Sequence, residues 1–183
     1  MTTDSRRFEA AVLPCLDAGF NLARWLLRDE SSADDAVQEA CLRALRYFGS
    51  LKPAAEVKPW FLAIVRNCCF SHLEARRGRN EQGGLEDEEM EAMQHAAGLT
   101  APEPIASLER GQAQRSVDAA LRALPPPLRE VIVLRELEGL DYAAIAQVAD
   151  IPIGTVMSRL SRARARLKIE LLSASGQQQS PSS

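Results

Sequence analysis

The chain has 183 residues, of which 46% are hydrophobic and 26% are charged, and its formal net charge is −3. These values exclude a disordered chain and a uniformly basic coat for nucleic acid, and the low aromatic content goes with a helix-forming composition. The longest apolar run, Trp60 to Val65, is too short to cross a bilayer and the N-terminus has no signal-peptide features, so we expect a cytoplasmic protein without membrane insertion.

Residues 1–77 are predicted to form a first helical domain. A broad apolar face predicts one helix from Phe8 to Leu27. Ser32 is the predicted N-cap of a second helix, which Gly49 ends. Pro59 suits the first position of a third helix, which ends in a basic cluster. The predicted core positions of the second helix are Val37, Cys41, Leu45 and Phe48.

A break in composition follows at residues 78–104. This segment contains Gly83 and Gly84, an acidic run from Glu86 to Glu91, and two prolines near its end. Its weak hydrophobic pattern predicts a flexible acidic linker, and a structureless stretch of this length indicates a boundary between domains.

Residues 105–172 are predicted to form a second helical domain, and residues 173–183 a disordered tail rich in glutamine and serine. Three prolines from Pro125 to Pro127 begin a strongly apolar helix that Gly139 closes. Asp141 is the predicted N-cap of a short helix, and Pro152 begins the last helix after a three-residue turn. Helix, short turn and basic helix together predict a helix-turn-helix, and the fold class as a whole is all-α.

The last helix has two contrasting faces. Val156, Leu160 and Ala163 fall on one buried stripe together with Leu167. Five cations and no anion lie between Arg159 and Lys168. A helix that buries one face and offers threonine, serine and arginine on the other suits the major groove of DNA.

The residues give no indication of catalysis, a metal or a cofactor. The four cysteines lack CxxC spacing, and Cys68 and Cys69 are adjacent, which is a poor geometry for a disulfide or a shared metal. His72 and His95 lie far apart in the sequence. We find no nucleophile–base pair and no glycine-rich phosphate loop, so we expect a protein that is not an enzyme.

Two sets of motifs resemble the extracytoplasmic-function (ECF) sigma factors, which are small initiation factors of bacterial RNA polymerase. Residues 33–44, ADDAVQEACLRA, and residues 59–67, PWFLAIVRN, resemble the first conserved domain of the family. LPPPLREV at residues 124–131, GTV at 154–156 and SRLSRAR at 158–164 resemble the second domain. Each motif alone is moderately specific, but both sets occur here in one short chain and in the family's order.

The resemblance implies three groups of functional residues. The surface that docks on core RNA polymerase would consist of Asp35, Gln38, Glu39, Leu42 and Arg43. The element that opens the −10 region of the promoter would include Trp60, Arg66, Asn67, Arg76 and Arg77. The helix that recognises the −35 element would use Thr155, Ser158, Arg159, Ser161, Arg162, Arg164 and Arg166.

Within the −35 helix, Arg162 is the first choice for a base contact, because arginine can bond a guanine bidentately. Met157 departs from the family pattern, which often has a basic residue there, and this leaves the −35 sequence open. The family also implies an anti-sigma factor as a partner.

A second hypothesis is a stand-alone transcription regulator with one helix-turn-helix. It accounts for residues 113–172 but leaves the first domain as a generic sensor or dimerisation unit. Specific binding to duplex promoter DNA without polymerase would favour it. A third hypothesis, an enzyme that modifies nucleic acid, has no set of residues behind it.

Overall fold

A computed structural model describes residues 3–52, 55–83 and 105–177, and these residues form helices and turns without a strand. The predicted all-α class is therefore confirmed. The core of the predicted linker, residues 84–104, and the end of the predicted tail, residues 178–183, lie outside the described residues. None of the described helices is long and apolar enough to cross a membrane.

The N-terminal half consists of four helices. Their bounds are α1 Thr3–Val12, α2 Leu16–Leu27, α3 Glu30–Tyr47 and α4 Val57–Gly83, with 3-10 turns at Leu13–Cys15 and Phe48–Ser50. Helices α2, α3 and α4 pack against one another in pairs, and α1 packs against α4. Gly19 permits the close approach of α2 to α4, because a Cβ atom there would lie 2.9 Å from the ring of Phe61.

Three predicted features of this half are wrong in detail. The predicted single helix from Phe8 to Leu27 is broken at Pro14, which has no amide hydrogen to donate and lies within a 3-10 turn. The N-cap of α3 is Asp29 rather than Ser32, because the Asp29 carboxylate accepts a hydrogen bond from the Ser32 amide at 2.7 Å. Helix α4 begins at Val57, two residues before Pro59.

The buried face of α3 is made of alanines. Ala33, Ala36, Ala40 and Ala44 are 0% exposed, whereas Leu45, a predicted core position, is 51% exposed. Because alanine side chains are small, α3 can lie close to α2 and α4. The buried face of α3 is therefore the face that carries the alanines. Larger apolar side chains of α3 are thereby left on the outer surface.

The C-terminal half also consists of helices. Their bounds are α5 Ile105–Ala123, α6 Pro126–Ile132, α7 Tyr142–Ala149 and α8 Ile153–Gln177, and α6 continues as a π-helical turn over Val133–Leu137. The predicted cap is confirmed, because the Asp141 carboxylate accepts from the Ala144 amide at 2.8 Å. Asp150 adopts a left-handed conformation, with φ 53°, and turns the chain from α7 into α8 to complete the helix-turn-helix.

Helices α4 and α8 extend beyond the predicted domain limits. Helix α4 reaches Gly83, past the predicted start of the linker at residue 78, and α8 reaches Gln177, past the predicted start of the tail at residue 173. Both extensions are polar. Extending an existing helix by one residue is cheaper than nucleating a new one, so a helix can outlast its apolar pattern.

The two halves pack directly against each other. Helix α4 contacts α7, and α2 contacts α6 and the π-helical turn. Buried apolar side chains from both halves form one continuous cluster. The structure therefore brings the two predicted functional regions together instead of holding them apart.

Candidate nucleic-acid interface and partner surface

Helix α8 is anchored by its apolar stripe. Val156 and Ala163 are 0% exposed and Leu160 is 1% exposed, which confirms the predicted buried face. The stripe packs against α5, α6 and α7. Ser158, Ser161, Arg162 and Arg166 are exposed on other sides of the helix, and Thr155 is half-buried. The side chain of Met157 is 54% exposed.

The arginines of α8 differ in their surroundings. Within the described residues, the Arg162 side chain makes one hydrogen bond, from its Nε to the Ser158 carbonyl of its own helix, at 3.4 Å. Arg164 bonds the Glu136 carboxylate at 2.8 Å, and bonds to Glu136 and Tyr142 raise its pKa. Arg159 is half-buried. Arg162 is thus the best placed of these three to meet a base, whereas Arg164 is paired with Glu136 of the π-helical turn.

An open groove of about 820 Å³ runs along the cationic side of α8. Arg159, Arg162 and Arg166 line it together with one acid, Glu170, and with Leu128 of α6. Three guanidinium groups beside one groove favour binding of a polyanion such as a DNA backbone.

A second surface lies on α3. Asp35, Gln38 and Leu42 are exposed, and the Leu42 side chain is 68% exposed. Glu39 bonds Arg43 at 2.5 Å on the same helix and contacts His72 of α4 at 3.3 Å. The five predicted polymerase-binding residues therefore form one mixed surface in which a large apolar side chain is surrounded by polar and charged groups. Such a composition is typical of a surface that docks a protein partner.

The predicted −10 residues on α4 do not form one exposed face. Asn67 and Arg77 are exposed, and Arg76 is half-buried. The half-buried Trp60 ring lies 6.2 Å from the ring of Phe48, as part of the core of the N-terminal half. The side chain of Arg66 is 18% exposed and points into the contact between the halves.

Arg66 pairs with a carboxylate of the other half. Its Nε donates to Glu130 of α6, and its guanidinium lies 4.4 Å from the centroid of the Phe70 ring. Glu130 is 1% exposed, and burial raises its pKa, although Arg66 and Arg159 act in the opposite direction. The pair therefore combines a favourable attraction with a costly removal of charge from water.

Arg129, beside Glu130, joins helix ends from both halves. Its guanidinium is 1% exposed and donates to the carbonyls of Leu121, Arg122 and Leu124, at 3.1, 3.2 and 2.7 Å. It also donates to the carbonyl of Trp25, near the end of α2, at 2.9 Å. Burial lowers the pKa of Arg129 to about 10, so this side chain remains charged at neutral pH.

Sequence reasoning assigned no role to Arg129 or Glu130. The available signal was a pair of opposite charges at the start of a strongly apolar helix, directly after three prolines. Charged residues at such positions are buried only when they are paired or hydrogen-bonded, and this pattern could have indicated buried partners.

Replacing Arg129 should strongly destabilise the protein. Arg129→Met removes the donor that Arg129 provides to the Trp25 and Leu124 carbonyls, and we expect the free energy of unfolding to fall by about 3 kcal/mol. Arg129→Lys keeps the charge but loses the planar guanidinium, so its decrease in the free energy of unfolding should be smaller than that of Arg129→Met. Urea unfolding measures both, with Arg122→Met on the exposed surface as the control. Equal stability of the Arg129 and Arg122 variants would contradict the capping role.

Comparisons with known proteins agree on the character of both halves. Residues 15–79 match the family model "Sigma-70 region 2", and residues 114–167 match "Sigma-70, region 4". The RNA polymerase sigma-H factor of Pseudomonas aeruginosa is 33% identical over 162 residues, which cover 88% of this chain and 84% of that protein. The ECF RNA polymerase sigma-E factor of Haemophilus influenzae is 35% identical over 146 residues, which cover 78% of this chain and 75% of that protein.

Solved structures are also similar to this chain. The sigma factor RpoE in complex with the anti-sigma factor NepR, from Bartonella quintana, matches with a TM-score of 0.73 and 29% identity. The match covers 92% of this chain and 98% of that one. CnrH in complex with the cytosolic domain of CnrY matches with a TM-score of 0.62 and 24% identity, which is a likeness of fold.

Proposed function

The chain belongs to the extracytoplasmic-function sigma factors, which direct bacterial RNA polymerase to promoters, and we propose that its helices divide this work among three surfaces. Helix α8 reads the −35 element, α4 opens the −10 region and α3 docks on core polymerase. The observation that carries this assignment is the state of α8, which is anchored through Val156 and Leu160 while Arg162 stays exposed.

Reading of the −35 element depends on the two-faced character of α8. The buried stripe fixes the axis of the helix, so the helix loses little orientational freedom when its exposed side chains enter the major groove. Arg162 contacts a base edge, while Arg159 and Arg166 contact phosphates beside the groove that they line. Ser158 lies one helical turn before Arg162 and Thr155 lies two turns before it, and both add shorter polar contacts.

Opening of the −10 region needs cations for the backbone and a place for an unstacked base. We assign the charge along α4 to Arg76 and Arg77, and the exposed Asn67 amide lies earlier on the same helix, whereas the predicted Arg66 is paired with Glu130. Trp60 supports this surface from within the aromatic cluster with Phe48.

Each DNA-reading half is a small module with few contacts. When both are held on one polymerase, binding of the second element becomes intramolecular and its effective concentration rises. The polymerase supplies all bond chemistry, and this chain acts in the cytoplasm as a non-catalytic subunit. Two DNA-reading domains, one that ends with α4 at Gly83 and one that begins with α5 at Ile105, suit this arrangement. An anti-sigma factor is a further partner, as for the similar RpoE of Bartonella quintana.

Transcription in vitro tests the function directly. We expect the chain with core polymerase to give RNA selectively from those members of a randomised promoter library that share two elements. Core polymerase alone is the control. An absence of selective RNA synthesis would overturn the proposal, and specific binding to duplex DNA without polymerase would favour the stand-alone regulator.

Changing Arg162 should affect the upstream element alone. Arg162→Ala loses a bidentate contact worth about 1–3 kcal/mol, so we expect use of the preferred −35 sequence to fall by about tenfold. Association with polymerase should stay unchanged, since Arg162 is an exposed residue of α8 and the proposed docking residues belong to α3. Arg166→Ala is the matched control, because a lost phosphate contact weakens all sequences alike. Equal sequence preference in both variants would refute the base contact.

Changing α3 should affect polymerase binding alone. The double variant Asp35→Ala with Gln38→Ala removes two exposed polar contacts, and we expect the Kd for core polymerase to rise about tenfold without a change in stability. Asp34→Ala is the control, since this exposed residue lies about 100° around the same helix from Asp35. Fluorescence titration with labelled core polymerase measures both. An unchanged Kd in the double variant would contradict the docking role.

A further inference from the structure

Met157 is a large apolar side chain on the outer surface of α8. It is 54% exposed, and it lies in the second turn of a helix that begins at Ile153. The N-terminal residues of the second helix in a helix-turn-helix contact base edges in the major groove of DNA. Under the proposed function, Met157 therefore lies in the part of α8 that meets base edges.

The neighbours of Met157 on the helix surface leave it room to project outwards. Val156 and Leu160 belong to the buried stripe, and successive residues of a helix point about 100° apart, so Met157 lies beside the stripe and not on it. Gly154 and Ser161, one turn before and one turn after Met157, are exposed and shorter. In the described chain, a Cβ atom added at Gly154 would meet nothing within 4 Å beyond its own helix backbone and its two neighbours.

A lone exposed apolar side chain is common on protein surfaces and needs no function. Met157 has an apolar neighbour, because Ile153, one turn earlier on the same side of α8, is 47% exposed. The exposed residues that follow on this helix are polar, beginning with Ser158, Ser161 and Arg162. An apolar pair thus opens the proposed DNA-reading helix, and the group on DNA that would match it is apolar as well.

The major groove contains one apolar group that distinguishes a base. Every base pair presents hydrogen-bond donors and acceptors there, and thymine also presents its 5-methyl group. The methionine side chain has no donor and only a weakly accepting sulfur, so it forms no strong hydrogen bond with any base edge. Its flexible thioether packs instead against apolar groups of irregular shape. The thymine methyl group is therefore the feature of a base edge that matches Met157.

We propose that Met157 is a specificity-determining residue of α8, which selects a thymine in the −35 element by packing against its 5-methyl group. The proposal deepens the proposed function of α8 and rests on it. Arg162 selects a guanine through hydrogen bonds, whereas Met157 selects a thymine through an apolar contact. An arginine at position 157 would attract the backbone of every DNA sequence, but methionine adds selectivity without adding charge.

The spacing along α8 places the thymine relative to the guanine. Met157 and Arg162 are five residues apart, which is about 7.5 Å along the helix axis. Base pairs of B-form DNA are stacked about 3.4 Å apart, so this length corresponds to about two base pairs. The thymine therefore lies within about three base pairs of the guanine that Arg162 contacts.

Replacing thymine by deoxyuridine tests the contact, because it removes the 5-methyl group and leaves the hydrogen-bonding edges of the base unchanged. The readout is RNA made by the full chain with core polymerase from its preferred promoter, with one −35 thymine replaced at a time. At one position, uracil should lower promoter use by the wild type on the order of fourfold, as expected for one buried methyl group. In Met157→Ala the same replacement should change promoter use by less than about 1.5-fold, because the partner of the methyl group is gone.

Three control variants separate the contact from a general effect on α8. Met157→Leu keeps an apolar side chain of similar volume and should keep the uracil effect. Met157→Gln has a similar length but is polar, and should lose it. Leu172→Ala removes another exposed apolar side chain, 63% exposed, from the far end of α8 and should keep the effect. All of the substituted side chains are exposed, so none of these changes disturbs the core.

The outcomes distinguish this inference from the proposed function. An equal uracil effect in the wild type and in Met157→Ala would overturn the inference, and so would a −35 element in which no thymine is sensitive to uracil. Selective transcription that keeps the guanine preference given by Arg162 but shows no uracil effect would overturn the inference alone. An absence of selective RNA synthesis would overturn the proposed function and this inference with it.

Discussion

A helix leaves its last carbonyls without intrahelical partners, and these carbonyls need donors wherever the helix end is buried. In this protein the guanidinium of Arg129 donates to carbonyls at the ends of both α2 and α5, and the Arg28 guanidinium shares the Arg122 carbonyl. The end of α2 belongs to the N-terminal half and the end of α5 to the C-terminal half. The packing of α2 on α6, the buried Glu130 and its partner Arg66 lie along the same boundary between the halves as this shared donor.

Sequence reasoning predicted the buried face of α8 and the cap of α7 correctly but misjudged part of their surroundings. The stripe of Val156, Leu160 and Ala163 follows a 3.6-residue period, and this pattern alone is enough to predict the buried face of α8. The Asp141 cap is equally local, since its partner is the amide three residues later. Features of this kind depend on neighbours in sequence, so they can be predicted without a tertiary structure.

The features that were missed depend on partners far along the chain. Arg66 looks like a solvated cation in sequence, and only the approach of α6 shows that Glu130, 64 residues later, receives it. Leu45 fits an apolar stripe, yet alanines allow closer packing and displace it to the surface. Asp29 rather than Ser32 caps α3 because the chain turns sharply at Arg28, which has φ 59°. This turn places the Asp29 carboxylate beside the first free amides of the helix.

The alanine face of α3 has a consequence for how such proteins can diverge. Alanine methyl groups form the fully buried face of this helix, with Val37 and Cys41 partly buried beside them, so its exposed residues contribute little to the core. Substitutions at Leu42 or Gln38 then require no repacking of the core. They can change the affinity for core polymerase while the stability of the fold stays the same. A bacterium could thereby maintain many paralogues that compete for one enzyme with graded strength, each tuned by a few outward side chains on an otherwise unchanged scaffold.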